Sequence, residues 1–274
     1  MPDRPTLIAQ LSDTHLRPRG MAGIGGIDPA RALADAVRAI GRLDQAPDAV
    51  VLTGDLADAG HADAYALLRE ALAPLAMPVY LLVGNHDARA PLLDAFPDHA
   101  RLAAQAPAGS LQYEATIGPL RLLVLDTLAP GHDYGELCDE RLDWLERRLA
   151  GCAGQPVIVA MHHPPFATLV EPMDRIGLRR GGERLAAILR AHPNVERVVC
   201  GHLHRAIEAR FGGTIASTCP STIHQMHLDF DPASPYRWTR EPPQFRIHAW
   251  TPASGLVSHL ANVAPLDGPH GFRG

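Results

Sequence analysis

The chain has 274 residues, 46% of them hydrophobic and 20% charged, and a net charge of −5 with histidine counted neutral. That length and apolar fraction suit one large globular unit, or one with a small appendage. The negative balance argues against a polyanion-binding surface, whose signature is a basic stripe, and no apolar run approaches the roughly 18–20 residues of a spanning helix. The charged lead of "MPDRPTLIAQLSD" carries no signal-peptide core, so the expectation is a cytoplasmic protein with neither a nucleic-acid polymer nor a membrane as partner. Four cysteines (Cys138, Cys152, Cys200, Cys219) share no C-x-x-C spacing and are expected to be reduced packing residues. Fifteen histidines, several beside Gly, Asn, Asp or Pro, are the first sign of metal.

In chain order, "TLIAQLSD" (6–13) predicts a buried strand. "DPARALADAVRAIGRLD" (28–44) predicts a helix with Asp28 as N-cap and Pro29 in its first position. "DAVVLTGD" (48–55) is a strand, "HADAYALLREALAPL" (61–75) a helix, and "PVYLLVGNHD" (78–87) a strand with its exit loop. "LRLLVLDT" (120–127), "PVIVAMHH" (156–163) and "VERVVCGH" (195–202) repeat the strand pattern, with helical stretches near 139–150 and 181–192. Strands alternating with helices argue a layered α/β fold around a largely buried sheet. After Gly201 come short β-like pieces, "GTIAST", "TIHQMHLDF", "QFRIHAW" and "LVSHLANV", broken by "DPASPY" and "REPPQ". These form either the second sheet of a sandwich or a C-terminal β appendage.

Polar residues gather where successive strands end. "SDTH" gives Asp13 and His15, "TGDL" gives Asp55, "GNHD" gives Asn85 and His86, "MHHPP" gives His162 and His163, and "GHLH" gives His202 and His204. The carboxyl edge of an α/β sheet is where sites are built, so distant segments can meet there. Carboxylates, an amide carbonyl and imidazoles, with no thiolate, suit Mn, Fe, Co or Zn. Seven ligands exceed one ion's need and fit two ions sharing a carboxylate, about 3.5–4 Å apart in such sites. The i, i+2 spacing of Asp13 with His15 and of His202 with His204 points both side chains of each pair the same way on extended backbone.

This order of motifs, D-x-H, G-D, G-N-H-D, H-x-P and G-H-x-H over residues 13–204, resembles the calcineurin-like metallophosphoesterase superfamily. More narrowly, "MHHPP", "CGHLH" and "STCPSTIHQ" are similar to bacterial class III cyclic-nucleotide phosphodiesterases and related glycerophosphodiesterases. The resemblance implies a four-layer β-sandwich flanked by helices, an α/β (α+β) fold, with a catalytic unit over 1–220 and a β-rich extension over 221–274 packed on it. It implies two divalent or trivalent ions: Asp13, His15 and His204 on the first, Asp55 bridging, and Asn85, His162 and His202 on the second. His86 matches the family's catalytic histidine. The H-x-P pattern selects His162 over His163, which then stands behind the ligands.

The implied reaction is metal-dependent hydrolysis of a small phosphodiester, a 3′,5′-cyclic nucleotide before a glycerophosphodiester, by hydroxide formed on the metal pair. A phosphomonoesterase on the same site is the alternative. His86 is expected to protonate the leaving oxygen, and Asp87 to orient His86 or start the next helix. His224 and His227 either line the site or are plain strand residues. "GMAGIGGID" reads as a lip over the site, the stretch holding Arg179 and Arg180 as a solvated loop, and Trp144 as core. Trp238, Phe245 and Trp250 suggest a contact with a second copy through the C-terminal region.

Overall fold

The computed structural model describes residues 4–103 and 109–271; the first part of the charged lead (1–3) and the last residues of the C-terminal extension (272–274) lie outside the described residues. The first half runs β1 (Thr6–Leu11), α1 (Pro29–Gly41), β2 (Ala49–Leu52), α2 (Ala62–Leu72), β3 (Val79–Leu81), α3 (Arg89–Ala95) and α4 (Ala100–Ala103). Then come β4 (Tyr113–Ile117), β5 (Leu120–Val124), β6 (Gly135–Glu136), α5 (Asp139–Gly151), β7 (Val157–Ala160), α6 (Glu171–Asp174), β8 (Leu178–Arg180) and α7 (Gly182–Ala191). The chain ends with β9 (Val195–Cys200), β10 (Glu208–Phe211), β11 (Thr214–Thr218), β12 (Gln225–Met226), β13 (Trp238–Thr239), β14 (Gln244–Thr251) and β15 (Gly255–Asn262).

Local chemistry explains several of these elements. Asp28 caps α1, its Oδ1 accepting from the amides of Ala30 and Arg31 at 3.0 and 3.1 Å. Pro29 follows in the first turn, where its missing N–H costs nothing. Leu33, Ala36, Val37 and Ile40 then form one buried stripe at helical spacing. Strands β4 and β5 form a hairpin whose two-residue turn begins with Gly118 at φ +56°.

The strands form two mixed sheets, ordered β15-β14-β1-β2-β3 and β10-β11-β9-β7-β5-β4. In the first, β1, β2 and β3 are parallel while β14 and β15 add antiparallel. In the second, β5, β7, β9 and β11 are parallel, with β4 and β10 antiparallel at the edges. Alternation along the second sheet divides its side chains between two cores. Leu122, Val124, Ile158, Ala160 and Val199 join the first sheet, α1 and α2 in one cluster. Leu123, Val157, Val159, Val198 and Cys200 pack with Leu145 and Leu149 of α5 and Leu185 and Ile188 of α7 in another. The result is helix, sheet, sheet, helix, with Trp144 in the second core.

The boundary expected at residue 220 falls between β11 and β12, and the strands beyond it do not stand apart. Residues 244–262 supply two of the five strands of the first sheet, Leu7 of β1 pairing with Ala249. Phe245 is accordingly buried in the main core, and the Trp250 indole N–H donates to Glu196 at 2.9 Å. These two aromatics are used inside the chain. The segment of Arg179 and Arg180 is strand β8, paired with β6, with Arg180 reaching Glu136 at 3.3 Å. Cys152, Cys200 and Cys219 are buried and Cys138 exposed, all as free thiols. No helix among the described residues is long and apolar enough to cross a membrane.

One buried ion pair tethers α3 to the second sheet. Arg89 holds the fully buried Asp126 in a two-bond grip at 2.6 and 2.9 Å, and Asp126 also accepts from the amides of Leu111 and Leu128. Removing the cation strands a buried carboxylate, at a cost of about 3–5 kcal/mol. The expected outcome for Arg89→Met is a loss of that size in urea unfolding. Arg184→Met, which breaks solvent-screened pairs to Asp139 and Asp143, should leave the urea midpoint close to that of the wild type.

Candidate metal centre

Five strands of the two sheets empty into one place. β1 leads to Asp13 and His15, β2 to Asp55, β3 to Asn85 and His86, β7 to His162, and β9 to His202 and His204. The loops stay in register after the strands end: the amides of Asp13 and His15 donate to the carbonyls of Gly54 and Asp55 at 3.0 and 2.9 Å, and Gly201 N donates to His162 O at 3.0 Å. Seven non-glycine residues among those described have positive φ, and five of them are Asp13 (53°), His15 (42°), Asp55 (49°), His202 (73°) and His204 (54°). Left-handed backbone costs such residues roughly 1–2 kcal/mol each, so this concentration marks a constrained site. Glycine lets the loops touch. A Cβ on Gly84 would strike the Asp55 carboxylate, and one on Gly54 the His162 ring.

The side chains form two acceptor sets joined by Asp55. In one, Asp13 Oδ1 lies 3.4 Å from His204 Nε2, and His204 Nε2 lies 3.1 Å from His15 Nε2. In the other, His162 Nε2 lies 3.2 Å from Asn85 Oδ1 and 3.2 Å from His202 Nδ1. Asp55 reaches both, with Oδ2 3.6 Å from His15 Nε2 and Oδ1 3.3 Å from His162 Nε2. All but Asn85, which is half-buried, are buried.

Two of the imidazoles have assigned tautomers. His162 Nδ1 donates to Thr53 O at 2.7 Å and His204 Nδ1 to His224 O at 3.0 Å, which leaves Nε2 of each in the neutral ring as a lone pair. Both lone pairs face carboxylate oxygens, so each half of the site places acceptor against acceptor in a dry environment. That arrangement calls for positive charge. Burial alone would pull His162 down, but the Asp55 carboxylate lifts it to about 9. Burial opposes ionisation of Asp55, and the charges of His162 and His86 hold its carboxyl well below the usual range. Burial, with His163 and His162 alongside, keeps His202 neutral. Carboxylate, amide oxygen and carbonyl-anchored imidazole make a donor set that fits a pair of divalent ions. Groups of three donor atoms lying within 4.8 Å of one another include Asp13, His15 and His204, and also Asp13, Asp55 and His162.

His163 is buried behind this centre, its Nδ1 2.8 Å from Thr127 Oγ1 and its ring 4.5 Å from that of His202. His224 stacks edge-on beside His204, ring centroids 4.5 Å apart, and borders the cavity. Asp87 neither touches the His86 ring nor caps α3, whose N-cap is Ala88. It accepts from the amides of Gly84, Leu56 and Ala57 at 2.8, 3.1 and 3.0 Å and from Tyr65 OH at 2.9 Å. Its carboxylate therefore ties the Asp55 loop to the Asn85 loop, although burial and the nearby Asp55 push its pKa up to about 6.

His86 faces the cavity with its side chain 40% exposed, and its Nδ1 lies 2.7 Å from Asp58 Oδ1. Asp58 also accepts from Arg17 Nε at 2.7 Å. Burial would lower the His86 pKa, but the Asp55 charge and the Asp58 hydrogen bond raise it to about 9. Asp58 and Arg17 are site residues that the motif reading missed. The available signal was a second carboxylate three residues after Asp55. The cavity has a volume of about 460 Å³ and is bordered by residues of the centre together with Ile24, Ile176, Ile223 and Tyr236. Residues of "GMAGIGGID" do form part of its lip, and Trp238 packs over Gly25.

Comparison with known proteins agrees with this geometry. Residues 6–206 match the family model described as calcineurin-like phosphoesterase. A protein of Arcobacter nitrofigilis named as a probable glycerophosphodiester phosphodiesterase is 33% identical over 266 residues, covering 97% of this chain and 96% of its own. A Pseudomonas aeruginosa protein named as a 3′,5′-cyclic adenosine monophosphate phosphodiesterase is 32% identical, covering 87% and 86%. A crystal structure of a dimetal phosphatase from Danio rerio shares the fold with a TM-score of 0.67 at 17% identity, covering 96% of this chain and all of that one. With its sandwich, its convergent strand exits and this match over most of its length, the chain belongs to the calcineurin-like phosphoesterase family.

Proposed function

We propose that the protein is a dinuclear-metal phosphodiesterase that hydrolyses small phosphodiesters, 3′,5′-cyclic nucleotides first among them. The observation that carries this reading is the pair of acceptor sets sharing Asp55, each with lone pairs turned on carboxylate oxygens. Asp13, His15 and His204 would hold one ion and Asn85, His162 and His202 the other, with Asp55 between them. Mn, Fe, Co and Zn suit these donors. When bound, the pair neutralises phosphoryl charge and brings the pKa of a coordinated water down to about 7. Relatives named as cyclic-nucleotide phosphodiesterases support the substrate class.

The remaining chemistry belongs to the chain. His86 Nδ1–H is engaged by Asp58, so Nε2–H of the imidazolium is the proton available in the cavity. Arg17 holds the other oxygen of Asp58 through its Nε–H at 2.7 Å. Protonation of a poor alkoxide leaving group in this way is worth ~10²–10⁴-fold. The apolar wall of Ile24, Ile176, Ile223 and Tyr236 suits the flat part of a nucleoside better than bulk water does. A glycerophosphodiester is the second reading, favoured by the end-to-end match to the Arcobacter protein; a phosphomonoesterase on the same site is the third.

Manganese-loaded protein is expected to cleave bis(p-nitrophenyl) phosphate faster than the monoester, and cyclic AMP faster than glycerophosphocholine, with rates abolished by chelation. A preference for the monoester overturns the diesterase reading, and the reverse order of the two diesters moves the substrate class to glycerophosphodiesters. His86→Ala should lower kcat on cyclic AMP by ~10²–10⁴-fold while metal content stays unchanged. His162→Ala should lose about one ion per chain by elemental analysis, and His163→Ala should keep both. In metal-free protein the His86 ring should titrate by NMR near 9. Its acid form is thus complete at neutral pH and lost as pH rises through that value. Asp58→Asn removes a raising partner, so the midpoint must fall; an unmoved midpoint contradicts the role given to Asp58.

A further inference from the structure

A second cavity, of about 610 Å³, lies on the far side of the loop that walls the first. Gly23 and Ile24 border the metal-centre cavity, Gly26 and Ile27 border the second, and Ile223 borders both. The reaction described above makes no use of it.

Four guanidinium groups border this second cavity. Arg31, Arg38 and Arg42 sit at i, i+7 and i+11 along α1 and its C-cap, within an arc of about 40° at 3.6 residues per turn. Arg240 comes from a separate segment, between β13 and β14. The Arg31 guanidinium has no hydrogen-bond or ion-pair partner among the described residues. Arg42 and Arg240 each give an N–H to a neutral carbonyl, Val263 O at 2.9 Å and Gly25 O at 2.8 Å, which leaves their charges uncompensated. The three carboxylates on the border are already engaged, Asp35 with Arg38 of the cavity itself, so among the described residues Arg38 is the one guanidinium of the four that carries an ion pair. Asp28 accepts from the first amides of α1, and Glu241 pairs with Arg205 at 2.7 Å. Ile27, Ala32, Ile223, Pro243 and Val263 supply apolar surface.

Arginines on an exposed helix face are ordinarily a solvated surface. Here they converge from two separate segments around an apolar floor, and the cavity has the size of a small-molecule site. We propose that this cavity binds an organic phosphate monoester with a flat apolar body, of the nucleoside monophosphate class. Guanidinium forks match a phosphate's oxygens in pairs and bind it more strongly than they bind neutral acceptors. The body lies on the apolar floor, against the loop that also walls the metal centre. The site stands independently of the reaction assigned to the first cavity.

Calorimetric titration of metal-free protein with AMP, adenosine and inorganic phosphate tests it. AMP should bind, adenosine should bind about tenfold or more weakly for lack of the charge-assisted bonds, and added salt should weaken AMP. The double variant Arg31→Glu, Arg38→Glu should lose AMP affinity by a similar factor while hydrolysing bis(p-nitrophenyl) phosphate at the wild-type rate once metal is restored. Arg31→Ala removes only an unpartnered head group, so it keeps the test valid should the double variant fold poorly; it too should weaken AMP. An AMP affinity that neither variant changes, or adenosine binding as tightly as AMP, overturns the proposal.

Discussion

The structure turns on one buried carboxylate. Asp55, itself buried, lies between two imidazole sets at the inner end of the cavity, with one oxygen toward His15 and the other toward His162. Taking a carboxylate out of water is costly unless it is paired. Asp55 accepts from the His86 amide at 2.9 Å and is faced by imidazoles on both sides. The site is therefore an electrostatic balance that only positive charge completes, and the neighbouring pKa values respond to that demand, His162 and His86 rising while Asp55 falls.

Holding such a balance requires rigid support. Five of the converging side chains stand on left-handed backbone, which the surrounding structure must enforce. The enforcement comes from the parallel strands beneath, from loop amides that continue the strand register past the sheet edge, and from Asp87, which fastens two of the loops by three hydrogen bonds and takes a fourth from Tyr65 of α2. Close contact does the rest, because glycine at 54 and 84 leaves room for the His162 ring and the Asp55 carboxylate. The site and the fold thus share one set of constraints, and the stability held in the two cores is what maintains the strained rim.

Around the centre the chain divides its tasks. The Arg17, Asp58 and His86 relay supplies a held proton at the edge of the cavity, outside the acceptor sets. Loops from remote parts of the sequence supply the rim: the segment after β1, the segment before β8, and the stretch between β11 and β14. Trp238 over Gly25 and Arg240 on Gly25 O link the first of these to the last.

The sequence by itself determined the strand exits and their chemistry. Apolar runs end in polar residues, and that pattern is local, so Asp13, His15, Asp55, Asn85, His202 and His204 could be placed at strand exits from the residues themselves, whereas choosing His162 over His163 rested on the family resemblance. The Asp28 cap and the buried stripe of α1 were legible for the same reason. Tertiary structure decided what depends on distant partners. Asp58 looks like any loop aspartate until His86, 28 residues on, meets it. Asp87 looks like a helix start until the loop amides close on it. The pieces after residue 243 read as β-like, but strand pattern carries no address. Only packing brings β14 beside β1, with Gln10 and His248 bonded across that seam 238 residues apart. Periodicity is written in neighbouring residues and can be read from them, whereas pairing is selected by shape and burial across the whole chain.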